Sequence, residues 1–212
     1  MYCTTDPLND TDKNASGNFN FHLITMHKSS DLVHWTYVGD VFSVRPAWVA
    51  PPAGLWAPAI KYFNNQYYLY FAASDTSLPG AGAAIGVATA NSPTGPWTDS
   101  GNPVVMPEDA PCCVGSRRAV IDPEVVQSNG QNYIYFGSFF GGISARTLSA
   151  DGLSSDPASE TPITLDNRYE ATTIVQHGGY FYIFVSASNC SKNNSFSFIF
   201  RLLEQGTVGY RI

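Results

Sequence analysis

An internal repeat runs through the sequence and limits the folds that are open to it. Three segments align without a gap, and they are Ala57–Ser74, Asp122–Phe139 and Glu170–Ala187. Each has a short apolar segment, a turn over Asn, Gly or His, and a second segment rich in aromatic residues. This pattern is typical of a β-hairpin. The sequence therefore predicts one hairpin used three times.

The repeat continues beyond the hairpin. Leu23–Thr36 matches Ile85–Thr98, and each places a tryptophan, Trp35 or Trp97, between a third and a fourth predicted strand. The predicted unit thus has four antiparallel strands. Repeats begin at 57, 122 and 170, so the steps are 65 and 48 residues. Steps near ~40–50 residues are typical of propeller blades, and the chain is predicted to be an all-β propeller.

The N-terminal residues fit the same register. Met1–Thr5 matches Leu69–Ala73, the second strand of a blade, and Leu69 follows Ala57 by 12 residues. The first strand of this blade is therefore expected to begin about 12 residues before Met1. We predict a single incomplete propeller domain over residues 1–212, with roughly three and a half blades. The predicted pieces are a partial blade 1–50, blades 51–115 and 116–165, and a partial blade 166–212.

Open blade edges invite other chains to pair with them. We therefore expect self-association through the edges near Met1–Thr5 and Phe196–Phe200.

Composition excludes two classes of partner. Aromatic residues make up 14% of the chain and charged residues 13%, with 18 Gly and 14 Pro, which favours short strands joined by tight turns. The formal net charge of −6 provides no basic surface for phosphates, so nucleic acid is not an expected partner. No apolar stretch approaches the ~18 residues of a membrane span, so no membrane partner is expected.

The first positions of the three repeats are Ala57, Asp122 and Glu170. Two of these three residues carry a carboxylate. The innermost strands of propeller blades line the axis, so equivalent positions converge at one end of the central funnel. A pair of carboxylates is what cleavage of a glycosidic bond requires. The alternative is that both are ordinary turn residues that open strands, as a lone Asp-Pro usually is. Their equivalent positions in the repeat favour the site.

Four short motifs carry a family resemblance. In order and spacing they resemble family 43 glycoside hydrolases, over about Met1 to Cys190, and the motifs are Trp56-Ala57-Pro58, Ile121-Asp122-Pro123, Phe136–Ile143 and Tyr169-Glu170-Ala171. The resemblance implies a five-bladed propeller that hydrolyses arabinan, xylan side chains or xylo-oligosaccharides with inversion. It also implies that Glu170 is the general acid, and that Asp122 orients Glu170 and favours its protonated form.

The family's third carboxylate is a general base at the first position of blade one. By the register above, it is expected 12 residues before Met1. Asp6-Pro7 is superficially similar to its motif, but Asp6 follows a second strand and is predicted to be a turn former.

Four residues are expected to contact substrate at the mouth of the funnel: Trp56, Ala57, Ser138 and Phe140. Phe140 stands where the arabinanase-like members that this chain resembles carry Trp. Other aromatic residues are predicted to pack between blades, and they are Tyr68, Tyr70, Tyr135 and Phe184.

The histidines show no metal-ligand spacing, so no metal site is predicted in this chain. The resemblance implies that the chemistry needs no cofactor, with a structural cation near the axis of the full-length protein.

One or two disulfides are possible among the four cysteines, which are Cys3, Cys112, Cys113 and Cys190. Arg117 and Arg118 are expected either to line the funnel or to cap a surface loop.

The expected function is hydrolysis of arabinan, with an oligo- or polysaccharide as partner, by a secreted enzyme. Two alternatives stay open. One is a β-xylosidase or arabinofuranosidase of the same family. The other is a catalytically impaired sugar-binding propeller, because the general base is not in this sequence.

Overall fold

A computed structural model describes residues 1–113, 115–164 and 168–187, together with the backbone of residues 196–202. The chain divides into two compact units, Met1–Met106 and Pro107–Ile212. Each unit contains two antiparallel sheets in which neighbouring strands follow one another in the chain. Within the described part of the chain, no helix has the length and apolar character needed to cross a membrane.

The first unit contains a three-stranded and a four-stranded sheet. The first sheet has the order β1 (Tyr2–Cys3), β2 (Thr25–Lys28) and β3 (Thr36–Asp40). The second has the order β4 (Leu55–Phe63), β5 (Gln66–Ala73), β6 (Ala84–Ala90) and β7 (Thr98–Asp99). The two matched tryptophans directly precede β3 and β7, as the repeat predicts.

The second unit also contains two sheets, but its four-stranded sheet comes first in the chain and its three-stranded sheet second. Its four-stranded sheet has the order β8 (Glu124–Ser128), β9 (Gln131–Phe136), β10 (Ser144–Thr147) and β11 (Thr161–Pro162). A 3-10 turn at Pro157–Ser159 precedes β11. Its three-stranded sheet consists of β12 (Glu170–His177), β13 (Tyr180–Ala187) and β14 (Phe196–Leu202).

Tight turns of matching chemistry close the three predicted hairpins. Both residues of each turn have positive φ, and the turns are Asn64-Asn65, Asn129-Gly130 and Gly178-Gly179. Asn and Gly tolerate this left-handed backbone, which matches the twist of the flanking strands. The hairpins β4–β5, β8–β9 and β12–β13 follow from this local chemistry.

The register of the third hairpin differs from the gapless alignment. Cα partners at equivalent positions are Ala59 with Tyr70, Glu124 with Tyr135, and Thr173 with Phe184. Equivalent positions in the second and third hairpins are 124 and 173 on the first strand, and 135 and 184 on the second. The step between these hairpins is therefore 49 residues. The alignment of the third segment, which uses a step of 48, is therefore wrong by one residue.

The left-handed backbone conformation occurs at equivalent positions of the three repeats and supports the same step of 49 residues. Ala57, Asp122 and Ala171 have φ values of 46°, 56° and 56°. The ladder is irregular between Trp56 and Ala59 and between Glu170 and Thr173, which places a bulge at each site. Ala171 is thus the equivalent of Asp122, and Glu170 takes the place that Trp56 has in the first unit.

Each unit has a core shared by its two sheets. In the first unit, Met26 of β2 and Leu69 of β5 belong to one buried cluster. Phe71 belongs to the same cluster, and its ring centroid lies 5.2 Å from that of Phe42 and 5.9 Å from that of Trp48. In the second unit, Ile183 of β13 packs with buried residues that follow β9 and precede β12, which are Ile143 and Tyr169.

Candidate active site

Asp122 lies two residues before β8, in the left-handed conformation described above. Its Oδ2 accepts a hydrogen bond from the backbone N–H of Ala171 at 2.9 Å. Burial raises the pKa of Asp122 to about 6, the N–H of Ala171 opposes the shift, and the nearby charge of Glu170 adds to it. The carboxyl group therefore titrates near neutral pH, which is typical of acid–base sites.

Glu170 is the first residue of β12 and is partly exposed. The hydroxyl of Ser138 donates a hydrogen bond to its Oε2 at 3.0 Å, and Ser138 itself is buried. Because Asp122 binds the N–H of the residue that follows Glu170, both carboxylates share one stretch of backbone. The second unit thus brings Asp122, Ser138 and Glu170 together.

Phe140 lies on the turn Gly137–Gly142, which joins β9 to the strand that follows and carries Ser138. Three glycines of this turn, Gly137, Gly141 and Gly142, have positive φ. Phe140 is 47% exposed and meets Phe139 edge to face, with 5.8 Å between ring centroids. An aromatic ring held by a tight turn beside a carboxylate site is suited to stack on a sugar.

Trp56 and Ala57 belong to the first unit. Trp56 is 39% exposed, and its indole covers Gly54, where a Cβ would lie 2.3 Å from the indole nitrogen. The N–H of Ala57 donates to the hydroxyl of Thr4 at 3.4 Å. Substrate contact by Trp56, Ala57, Ser138 and Phe140 stays a prediction.

The expectation for Arg118 is wrong in both of its forms. Arg118 is 1% exposed and ion-paired to Glu108 and Glu160, so it lies neither in a funnel nor on a surface loop. Arg117 has the surface position, where it pairs with Asp109 at 2.8 Å. The two adjacent arginines differ because the carboxylates that pair with Arg118 are largely covered by the unit, whereas the partner of Arg117 is exposed.

One disulfide joins the adjacent residues Cys112 and Cys113, and Cys3 is a free, partly buried thiol. Cys190 lies outside the described residues. No group of three or more His, Cys, Asp or Glu side chains is placed to hold a metal ion among the residues that the structure describes.

A cluster of one histidine and two aspartates in the first unit was not predicted from the sequence. His22 lies between two aspartates, with Nε2 at 2.9 Å from Asp12 and Nδ1 at 2.9 Å from Asp40. Burial opposes protonation, but the hydrogen bonds to Asp40 and Asp12 outweigh it and raise the pKa of His22. The cluster ties the loop after β1 to the end of β3. Spacing alone gives no signal for it, because the partners are 10 and 18 residues away.

The family model for glycosyl hydrolases family 43 matches residues 12–201. The chain belongs to this family. Among curated proteins, it is 31% identical over 173 residues to the extracellular endo-α-(1→5)-L-arabinanase 1 of Bacillus subtilis, covering 77% of this chain and 51% of the relative. It is 28% identical over 192 residues to the extracellular exo-α-(1→5)-L-arabinofuranosidase of Cellvibrio japonicus, covering 80% of this chain and 54% of the relative. The chain thus spans about half the length of these relatives.

Solved structures support the fold. An α-L-arabinofuranosidase from Clostridium thermocellum superposes with a TM-score of 0.74 at 27% identity, covering 99% of this chain and 67% of that chain. The native arabinanase of Bacillus subtilis superposes with a TM-score of 0.70 at 26% identity, covering 94% and 67%. The predicted all-β fold of the five-bladed propeller type is confirmed, and the chain covers part of it.

Proposed function

We propose that this chain forms part of a secreted glycoside hydrolase that cleaves α-1,5-linked arabinan by an inverting acid–base mechanism. Membership of family 43 supports the reaction class. The observation that carries the proposal is the shared backbone at the start of β12, where Asp122 accepts the N–H of Ala171 and Ser138 donates to Glu170.

Glu170 is the proposed general acid, which gives its proton to the leaving oxygen as the glycosidic bond breaks. The hydroxyl of Ser138 fixes one carboxyl oxygen of Glu170, so the other stays available to the sugar. A side chain that is partly exposed and held from one side is suited to deliver a proton into an open site.

Asp122 is the proposed orienting carboxylate. It accepts the N–H of Ala171 and so fixes the backbone next to Glu170. Its pKa of about 6 means that the Asp122 carboxyl is largely ionised at neutral pH. The inverting mechanism also needs a general base, which activates water on the opposite face of the sugar.

Arabinan is the proposed substrate because the relatives point to it. Endo- and exo-acting arabinan enzymes from Bacillus subtilis and Cellvibrio japonicus are both similar to this chain. The arabinanase of Cellvibrio cellulosa, 26% identical with a TM-score of 0.70, has been solved with arabinohexaose. Phe140 supplies an exposed ring for a pentose in this chain. The word extracellular in both relatives' names supports secretion.

The test is hydrolysis by the protein expressed from its complete reading frame. Linear arabinan, arabinoxylan, xylo-oligosaccharides and nitrophenyl pentosides are offered separately, and released sugar is measured. We expect arabinan to be the preferred substrate. Glu170→Gln should lower release by about 10²–10⁴-fold, whereas Asp151→Asn, at an exposed carboxylate of the same unit, should leave it unchanged. Preference for xylosides would support the xylosidase alternative, and sugar binding without release would support the impaired propeller.

A further inference from the structure

Arg118 belongs to an ion-pair network of the second unit in which the arginines are buried and the carboxylates are partly exposed. Its Nη1 donates to Glu108 at 2.8 Å and to Glu160 at 2.5 Å. Arg146, which is 5% exposed, pairs with the same two carboxylates, and its Nε donates to Glu160 at 2.8 Å. Both guanidinium groups lie over the ring of Phe136, at 4.8 and 5.0 Å from its centroid. Two cations and two carboxylates balance each other.

The two arginines differ in what else they contact. Arg118 Nη2 donates to the carbonyl oxygen of Gly142 at 3.1 Å and to the hydroxyl of Ser144 at 2.7 Å. The described hydrogen bonds of Arg146 go only to Glu108 and Glu160. Arg118 is therefore the member of the network that bonds the turn carrying Ser138 and Phe140.

The turn is folded tightly against this guanidinium. A Cβ at Gly137 would lie 2.2 Å from the carbonyl oxygen of Gly142 and 3.1 Å from Arg118 Nη2. A Cβ at Gly141 would lie 3.1 Å from Arg118 Nε. The turn has no room to shift toward the arginine, and the bond to Gly142 prevents it from moving away.

We propose that Arg118 is a positioning residue for the acid Glu170. Its guanidinium fixes the Gly137–Gly142 turn, and the turn holds the hydroxyl of Ser138 at 3.0 Å from Glu170. The path runs from Arg118 through the carbonyl of Gly142 and the turn to Ser138. The consequence for catalysis rests on the function proposed above, whereas the consequence for geometry does not.

Stability alone does not account for this arrangement. Burying the two arginine charges is costly, ion pairing recovers little more than that cost, and apolar side chains of equal volume often stabilise as well. What a guanidinium adds is a rigid planar fork that binds two carboxylates and a carbonyl at once. Lysine keeps the charge but not the fork, so Arg118→Lys separates charge from geometry.

Crystal structures of Arg118→Lys and Arg146→Lys test the geometric part. We expect the 3.0 Å contact between Ser138 and Glu170 to be lost in Arg118→Lys and kept in the matched control Arg146→Lys. Arg118→Met combined with Glu108→Gln is the second variant, which keeps volume and charge balance if the lysine variant does not fold. An unchanged contact in either Arg118 variant would overturn the inference.

Kinetics test the path. In Arg118→Lys we expect kcat on arabinan to fall about 10- to 100-fold with KM little changed, because a displacement of about 1 Å at a reacting group has effects of this size. Adding Ser138→Ala should cause no further loss, since both changes break the same path. Losses that multiply would overturn the inference. If the unmodified protein does not hydrolyse arabinan, the proposed function fails, and the crystal structures alone then decide the role of Arg118.

Discussion

Replacement of Asp122 by asparagine should stabilise the protein near neutral pH while impairing its activity. Burial raises the pKa of Asp122 from 3.8 to about 6 in the folded chain. Between these values the folded state holds a proton that the unfolded state releases, so the free energy of unfolding falls as pH rises through this window. Above pH 6 the ionised carboxylate is present in the fold at a cost.

The shift sets the size of this cost. A difference of about two pKa units corresponds to about 3 kcal/mol, and partial exposure of the carboxyl group reduces this to about 1–3 kcal/mol. Asparagine carries no charge, tolerates the left-handed φ of 56°, and still offers an oxygen to the N–H of Ala171. We therefore expect Asp122→Asn to gain about 1–3 kcal/mol at pH 7.5 and nothing at pH 4.

Urea unfolding of the original and Asp122→Asn proteins from pH 4 to pH 8 measures the difference directly. Asp151→Asn serves as the control, because the pKa of that exposed carboxyl is lowered by a hydrogen bond from Ser149. It should show no gain at any pH. A variant at Asp122 that is less stable at pH 7.5, or whose gain is the same at pH 4, would refute the reasoning.

Three further changes test separate parts of the structure. Phe140→Ala should raise KM for arabinan about 5- to 10-fold with a stable fold, because stacking of an exposed ring contributes about 1 kcal/mol; unchanged kinetics would remove Phe140 from the site. Gly137→Ala should lower the free energy of unfolding by at least about 2 kcal/mol in urea titrations, since its φ is +121° and the carbonyl of Gly142 blocks the added methyl group; a neutral effect would contradict this. His22→Gln should cost more stability at pH 5.5 than at pH 9, because a raised pKa contributes stability that is lost as pH rises through it; equal costs in melts at both values would contradict the proposed protonation.

The hairpins were predictable because their signals are local. Asn-Asn, Asn-Gly and the glycine pair after His177 define the turns within a few residues, and aromatic strands flank them. The one-residue error at β12 arose at the turn, because the bulges of β4 and β12 lie at equivalent positions and leave the step between the repeats unchanged. The gapless alignment places His177 at the first position of the turn, whereas the turn begins at Gly178. The two carboxylates still meet, since neighbouring residues at a bulge lie at the same end of the strand.

The network around Arg118 was not predictable in the same way. Its partners Glu108 and Glu160 lie 10 and 42 residues away, and adjacent Arg117 has the same local surroundings but a surface position. Burial of a charged side chain depends on carboxylates brought near by tertiary structure, which no window of sequence contains.

In the proposed mechanism, Glu170 delivers a proton to the leaving group. A direct test compares hydrolysis of arabinan with hydrolysis of a dinitrophenyl arabinofuranoside by the Glu170→Gln variant, using the protein from the complete reading frame. The dinitrophenyl glycoside has a leaving group that departs without a proton, whereas the sugar alcohol released from arabinan needs one. We predict that Glu170→Gln loses hydrolysis of arabinan by about 10²–10⁴-fold while cleavage of the dinitrophenyl substrate is largely kept. Equal losses on both substrates would contradict the role of Glu170 as the acid.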